Sequence, residues 1–233
     1  MNLSQYLTKE HFYRNFIADD RYLFFFNGLK VTLTVTLFSV IFGIIIGFLV
    51  GTVRSTHEKT GKLKLLNAIA GAYLSIIRGT PVLVQLMIMY FIVFSSPDAS
   101  KMVTAVLTFA INSGAYVAEI FRSGILSIDN GQFEAGRSLG FNYAQTIWYI
   151  VLPQAFKNVL PPLCNEFIAL LKETSVVSFI ALQDLTRAGD LVRSRTYNPV
   201  LPLITVAFIY WIIVTILTKL VGILERRLRK SER

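Results

Sequence analysis

The chain is poor in the residues that most enzymes work with. Of its 233 residues one is cysteine, Cys164, and two are histidine, His11 and His57. A single thiol excludes an intrachain disulfide and any cysteine-rich metal site. Two histidines are too few for a histidine-held metal, and neither stands in a zinc-protease motif. Ser113 and Ser123 have no base beside them and lack the GxSxG setting of a hydrolase nucleophile. A phosphate-binding loop is missing too. Gly61-Lys62 matches the end of one, but Leu63 replaces the hydroxyl residue and Thr56 stands where the first glycine belongs.

Charge is also scarce. Charged residues make up 16% of the chain and hydrophobic ones 54%, whereas a soluble domain carries about 25% charge. Mean hydropathy is +0.56. Several apolar runs reach the roughly 20 residues that a bilayer crossing needs. No polar stretch is long enough for a large soluble domain. These features define an all-α integral membrane protein.

Acidic residues are the scarcer sign, 14 against 23 basic, for a net charge of +9. Such an excess can point to nucleic acid. Here the basic residues crowd the ends of the apolar runs, as orientation signals do, so no nucleic-acid partner is expected. The first 27 residues lack the short apolar core and small-residue cleavage site of a signal peptide. They carry Tyr6, Phe12, Tyr13, Phe16, Tyr22 and three consecutive phenylalanines from Phe24. Rings of this kind suit a membrane interface, so 1–27 is expected outside, partly as a surface-lying amphipathic helix.

Five crossings are expected. The first, 31–53, is uncharged over about 23 residues, or roughly 34 Å of helix. Gly43, Gly47 and Gly51 fall on one face of it, a spacing that lets another helix approach closely. A basic loop follows at 54–64. The apolar stretch 65–94 is too long for one straight crossing and too short for two. Arg78-Gly79-Thr80-Pro81 interrupts it, because proline removes a helix hydrogen bond and disfavours helical geometry before it. Either its first part lies at the interface or one crossing is broken near Arg78. The third crossing is 102–126. The fourth, 153–172, is expected to be irregular at Pro161-Pro162 and continues apolar through 174–182. An outside loop spans 183–198, and the fifth crossing is 199–224. The basic tail then lies in the cytoplasm, with the N-terminus outside.

Between the third and fourth crossings lies a mixed stretch, 134–153, reading EAGRSLGFNYAQTIWYIVLP. Asp129 or Asn130 can cap a helix there, and Asp129 with Gln132 has the spacing of a weak capping box. Glu134 falls in its early turns, where negative charge suits the dipole. Gly140 is placed to end it in the left-handed conformation. A second amphipathic run, 143–152, is expected to stop at Pro153. The result is a compact knob of two short helices.

Glu134-Ala135-Gly136, then Gly140, Ile150 and Leu152-Pro153, resembles the EAA loop of ABC importer permeases. Gly136 stands where that family has a third alanine. Arg78-Gly79-Thr80-Pro81 with Gln85 is similar to a segment of permeases for polar amino acids, the histidine and glutamine importer group. So is Gly114-Ala115-Tyr116-Val117-Ala118-Glu119 with Arg122. Leu171-Lys172-Glu173-Thr174-Ser175 and Asp184-Leu185 resemble further motifs of that group. Together they cover nearly the whole chain after residue 27.

The resemblance implies a single transmembrane permease domain over 1–233, of the type I ABC importer fold, in a bacterial inner membrane. It implies that 130–152 is a cytoplasmic coupling loop docking into a cleft of an ATPase subunit. Glu134, Ala135, Gly136, Gly140, Ile150, Leu152 and Pro153 are its coupling residues. The implied partners are two ATPase subunits, which hold ATP and Mg, and an extracytoplasmic substrate-binding protein contacting 183–198. A second permease, identical or paralogous, is implied as well. No cofactor of its own is expected, and the cargo is a polar amino acid.

Polar groups inside lipid are costly and usually face a cavity or a partner helix. Arg78, Asn112, Tyr116, Glu119, Glu166 and Lys172 are therefore candidates for a substrate pathway. An amino acid needs a cation for its carboxylate and an acceptor for its amine, and this set offers both. The competing reading is internal bracing, which the i,i+3 spacing favours for Glu119 and Arg122. Two other transport readings remain. A related ABC permease for a quaternary amine or an opine fits similar motifs. An ion-coupled secondary transporter would usually show two similar halves, and no internal repeat is visible.

Overall fold

The computed structural model describes residues 8–96 and 98–230. Tyr6 and the last charges of the tail lie outside the described residues. The described residues are helical, without strands. In chain order the helices are α1 Lys9–Phe12, α2 Tyr22–Thr60, α3 Lys64–Gly79, α4 Val82–Ile88, α5 Lys101–Leu126, α6 Asn130–Ser138, α7 Tyr143–Thr146, α8 Leu152–Glu173, α9 Leu185–Thr196 and α10 Leu201–Lys230.

Three helices, α2, α5 and α10, are each long and apolar enough to cross a membrane. The apolar stretch after α2 is broken where the sequence predicts. Helix α3 ends at Gly79, and α4 restarts after Pro81 at a bend of 106°. The two pieces together suffice for one span. Helix α8 has 22 residues, or about 33 Å, enough for a crossing. It carries Lys157, Glu166, Lys172 and Glu173, so it is more polar than the other three.

Helix α2 organises the bundle. It runs 39 residues, well beyond its apolar stretch at both ends. Its glycine face lies against α5. A methyl group on Gly47 would stand 2.6 Å from Val117 Cβ, and one on Gly51 would stand 2.6 Å from the Ala118 carbonyl oxygen. Gly43 meets Ser113 and Gly114 in the same way. Without water to drive association inside lipid, close backbone approach gives such a pair its van der Waals contact. The packed interior around this seam includes Val35, Leu86, Ala105, Phe109, Leu170 and Val177.

Three sequence expectations are corrected. The stretch 183–198 is not a loop. It folds as α9, capped by the buried Asp184, whose carboxylate accepts from the amides of Thr186 at 3.0 Å and Arg187 at 2.9 Å. Its buried face, Leu185, Ala188, Gly189 and Val192, packs on α2 and α10. A short apolar face hidden among arginines does not read as a helix until the neighbours that bury it are present. Second, the run from 143 does not stop at Pro153. A π-helical turn, Ile147–Val151, precedes it, with the Leu152 amide reaching back to the Ile147 carbonyl. The widened turn falls where proline removes the next donor, so the helix continues. Third, α8 passes through Pro161 and Pro162 without a break. Within a membrane bundle, neighbouring helices can compensate such lost backbone bonds.

At the end of the bundle away from the knob, α2 and α9 meet. The Leu185 amide donates to Thr32 Oγ1 at 3.2 Å, and a Cβ on Gly28 would meet the Asp184 carbonyl. The segment from Lys9 is tied there too. Asn15 is buried and accepts from Thr196 Oγ1 at 2.8 Å.

Candidate functional site

The knob is built from its turns outward. Asp129 caps α6, accepting from the Gly131 amide at 2.7 Å. The predicted box with Gln132 does not form. Gln132 Oε1 accepts from Gln154 Nε2 at 3.0 Å instead, which ties α6 to α8. Helix α6 ends as expected at Gly140, with φ +82°. The Phe141 amide reaches the Gly136 carbonyl at 3.0 Å and the Gly140 amide reaches that of Arg137 at 2.9 Å. That pair of bonds is a complete Schellman ending. The capping box of the knob lies at the next helix. Asn142 and Gln145 exchange side-chain and backbone bonds, both 2.9 Å. The Asn-x-x-Gln spacing could have revealed it.

Two faces result. The inner face buries Phe133, Ile147 and Val151 with Ile125, Ile128 and Ala155, and Leu152 packs against that cluster. Gly136 is buried under Thr146. The outer face exposes Glu134, Ala135 and Gly140. Leu139 and Tyr149 are 71% and 72% exposed beside them. Ile150 is half-buried, Pro153 is exposed, and the Ile150 carbonyl accepts from Gln154. The seven motif residues therefore lie on one short element, some carrying its outer surface and some its packing.

The last turns of α2 brace this element. Lys59 Nζ donates to Asn130 Oδ1 at 2.5 Å and sits 4.6 Å from the centre of the Phe133 ring. Next to it, Glu58 takes two bonds of 3.0 Å from Arg122 Nη1, and Arg122 also pairs with Glu119. Arg54 Nη1 donates to Asn67 on α3 at 3.1 Å. The sequence predicts a basic loop at 54–64, but α2 continues through most of it to Thr60, because these side chains find partners on α3, α5 and α6 that the sequence does not reveal.

The six pathway candidates make several separate contacts. Asn112 Nδ2 donates to Gln85 Oε1 at 3.0 Å. Gln85 Nε2 in turn donates to the Ile77 carbonyl at 2.8 Å and to Thr80. This amide thus serves carbonyls left open by the break before Pro81, and Asn112 orients it. Glu166 Oε1 accepts from Ser113 Oγ at 2.8 Å, joining α8 to α5. The Arg78 guanidinium lies 5.5 Å from the Tyr116 ring centre. Glu119 pairs with Arg122, as its spacing suggests. Lys172 is exposed on the last turn of α8. Beside Gln85 there is a cavity of about 250 Å³, lined by Ile76, Ile77, Val84, Ile88 and Ile111 among others. Thr80, Gln85 and Thr108 are the polar residues of its otherwise apolar lining.

The comparisons with known proteins agree with this arrangement. Residues 39–230 match the family described as "Binding-protein-dependent transport system inner membrane component". The chain is 41% identical over 172 residues to the putative glutamine transport system permease protein GlnP of Rickettsia typhi, covering 73% of this chain and 79% of that one. It is 40% identical to the L-cystine transport system permease protein TcyB of Bacillus subtilis, covering 73% and 74%. To the arginine transport system permease protein ArtQ of the same organism it is 41% identical, covering 70% and 76%. Among solved structures, an amino acid ABC transporter crystallised with histidines superposes with a TM-score of 0.80 at 41% identity, covering 88% of this chain and 94% of that one. An inward-facing MetNI methionine ABC transporter shares the fold, with a TM-score of 0.75 at 19% identity. With the fold, the capped two-helix knob and these likenesses in agreement, the chain belongs to the family of inner-membrane components of binding-protein-dependent transport systems.

Proposed function

We propose that this chain is the transmembrane subunit of an ATP-driven importer that brings a polar amino acid into a bacterial cell. The observation that carries the reading is the knob. It is a stiffly capped element with a packed inner face and an exposed outer one, joined without a break to α8. The relatives named for glutamine, cystine and arginine transport support the cargo class.

In this reading two copies of the chain, or this chain and a paralogue, enclose the path. Two ATPase subunits hold ATP and Mg and receive the outer face of each knob. Glu134, Ala135, Gly136, Gly140, Ile150, Leu152 and Pro153 carry the coupling. A binding protein delivers substrate at the α9 end. Closure of the ATPase pair moves the knobs, and the crossing helices exchange inward- and outward-facing arrangements, each ligand shifting the balance by its differential affinity.

The knob then faces the cytoplasm and the segment 1–27 lies outside, with five crossings between the ends. The basic residues of the last turns of α2, Arg54 and Lys59, with Lys62 and Lys64 after them, support this, because they share the knob's end of the bundle. Arg187, Arg193 and Arg195 sit at the other end against that rule. Asp190 pairs with two of them, at 3.1 Å and 2.6 Å, but acidic residues count little in that rule, so the placement rests on the knob meeting the ATPase.

For the path itself, Glu166 offers an acceptor for the substrate amine, and Arg78 or Lys172 a cation for its carboxylate. Asn112, Tyr116 and Glu119 border the same route as it opens, Asn112 and Glu119 giving up their present bonds and Tyr116 its contact with Arg78. Uptake into vesicles holding the reconstituted complex tests the whole reading. Import should require ATP inside, and Gly140→Pro should abolish it while the subunit still inserts. Import driven by an ion gradient without ATP refutes the proposal.

A further inference from the structure

The knob is covalently continuous with α5 and α8. It has no chain connection to α2, which reaches it only through side chains. We infer that Lys59 is a positioning residue that makes α2 move with the knob, so that α2 serves as a rod between the knob and α9. This rests on the reading of the knob as the coupling element.

Four observations lead there. First, α2 has 39 residues, about 58 Å of helix, far more than the roughly 30 Å of a bilayer's apolar core. Its final turns are held by Arg54–Asn67, Glu58–Arg122 and Lys59–Asn130 rather than left to fray. Second, the Lys59 ammonium makes two contacts on α6 at once, the Asn130 amide oxygen and the face of Phe133. Phe133 belongs to the knob's buried face. A push on the knob therefore reaches Lys59 through a side chain of its packed interior.

Third, Asn130 is the first residue of α6. A helix N-terminus carries partial positive charge, so a cation gains nothing from the dipole there. Stability alone favours an acidic or neutral residue opposite this end. Holding a lysine there makes mechanical sense, because its long stem reaches across and its head binds two partners. Fourth, the far end of α2 is locked to α9 by Thr32–Leu185 and by the backbone contact at Gly28. Between the two ends, the glycine seam with α5 leaves α2 little room to bend. One stiff helix thus touches the element that meets the ATPase and the element expected to meet the binding protein.

The test uses the reconstituted importer with its ATPase and binding protein. The readout is the ratio of ATP hydrolysis with loaded binding protein to hydrolysis without it. Site-to-site coupling commonly amounts to a 5- to 150-fold effect, so Lys59→Ala should lower the ratio by at least about fivefold, with subunits still co-purifying. Lys59→Arg keeps both a donor and a cation for the ring and should restore most of it. A wild-type ratio in Lys59→Ala, or equal loss in Lys59→Arg, overturns the inference. If Lys59→Ala does not assemble, Asn130→Ala leaves the cation in place and removes only its acceptor. It should lower the ratio in part, and an unchanged ratio overturns the inference equally. Failure of the underlying functional reading looks different, because the wild-type complex would then show no ATP-dependent uptake at all.

Discussion

Gly136 and Thr146 face each other across the two helices of the knob, and a methyl group on Gly136 would stand 2.7 Å from both Thr146 Oγ1 and Thr146 Cγ2. Thr146 cannot easily turn away. Its hydroxyl donates to the Asn142 carbonyl at 3.0 Å, and the residue is buried. The departure from the family's third alanine is thus matched by a threonine ten positions on. Gly136→Ala should destabilise the knob by about 1–3 kcal/mol, the usual cost of overpacking. Thr146→Ala should relieve most of that in the double variant. Thermal unfolding of the detergent-purified protein measures the cycle, and strictly additive effects rule out the pairing.

Gly140 presents the opposite situation. Nothing lies within 4 Å of where its Cβ would be, so the constraint is φ alone, at +82°. Gly140→Ala should cost about 1 kcal/mol, and Gly140→Asn less, since asparagine tolerates the left-handed region. Transport should follow the same order. Equal loss from both substitutions would point to contact rather than conformation.

The α2 seam gives a contrast between two glycines. Gly47→Leu puts a branched side chain into Val117 and should prevent stable insertion or assembly. Gly222→Leu, on α10 with open space around it, should leave yield and melting behaviour unchanged. Expression level and size-exclusion profile decide the matter.

Asp184 lies in the link before α9, where burial pushes its carboxyl above the ordinary value of 3.8, although the amides of Arg187 and Thr186 pull it back. A raised carboxyl stabilises the fold below its unfolded value and loses that contribution as pH rises through the folded one. Asp184→Asn keeps the cap without the charge. The stability of the natural protein relative to Asp184→Asn should therefore fall as pH climbs from acid toward neutral. Asp184→Ala loses the cap and should lie about 1 kcal/mol below Asp184→Asn at any pH. Melting curves of the three proteins across that range test the sign.

The amino-acid sequence by itself determined the membrane class, the break before Pro81, the glycine face of α2 and the left-handed ending at Gly140. Each follows from a local property, whether apolar length, a missing amide donor, helical spacing or the absence of a Cβ. The tertiary structure alone decided that most of 183–198 is a helix, Leu185–Thr196, that Gln85 takes up the carbonyls of the broken span, and that Lys59 lies against Phe133. Those outcomes join residues that no single helical turn brings together, or bury a face that looks polar in isolation. Only the packed neighbours supply the desolvation and the partners that make them favourable.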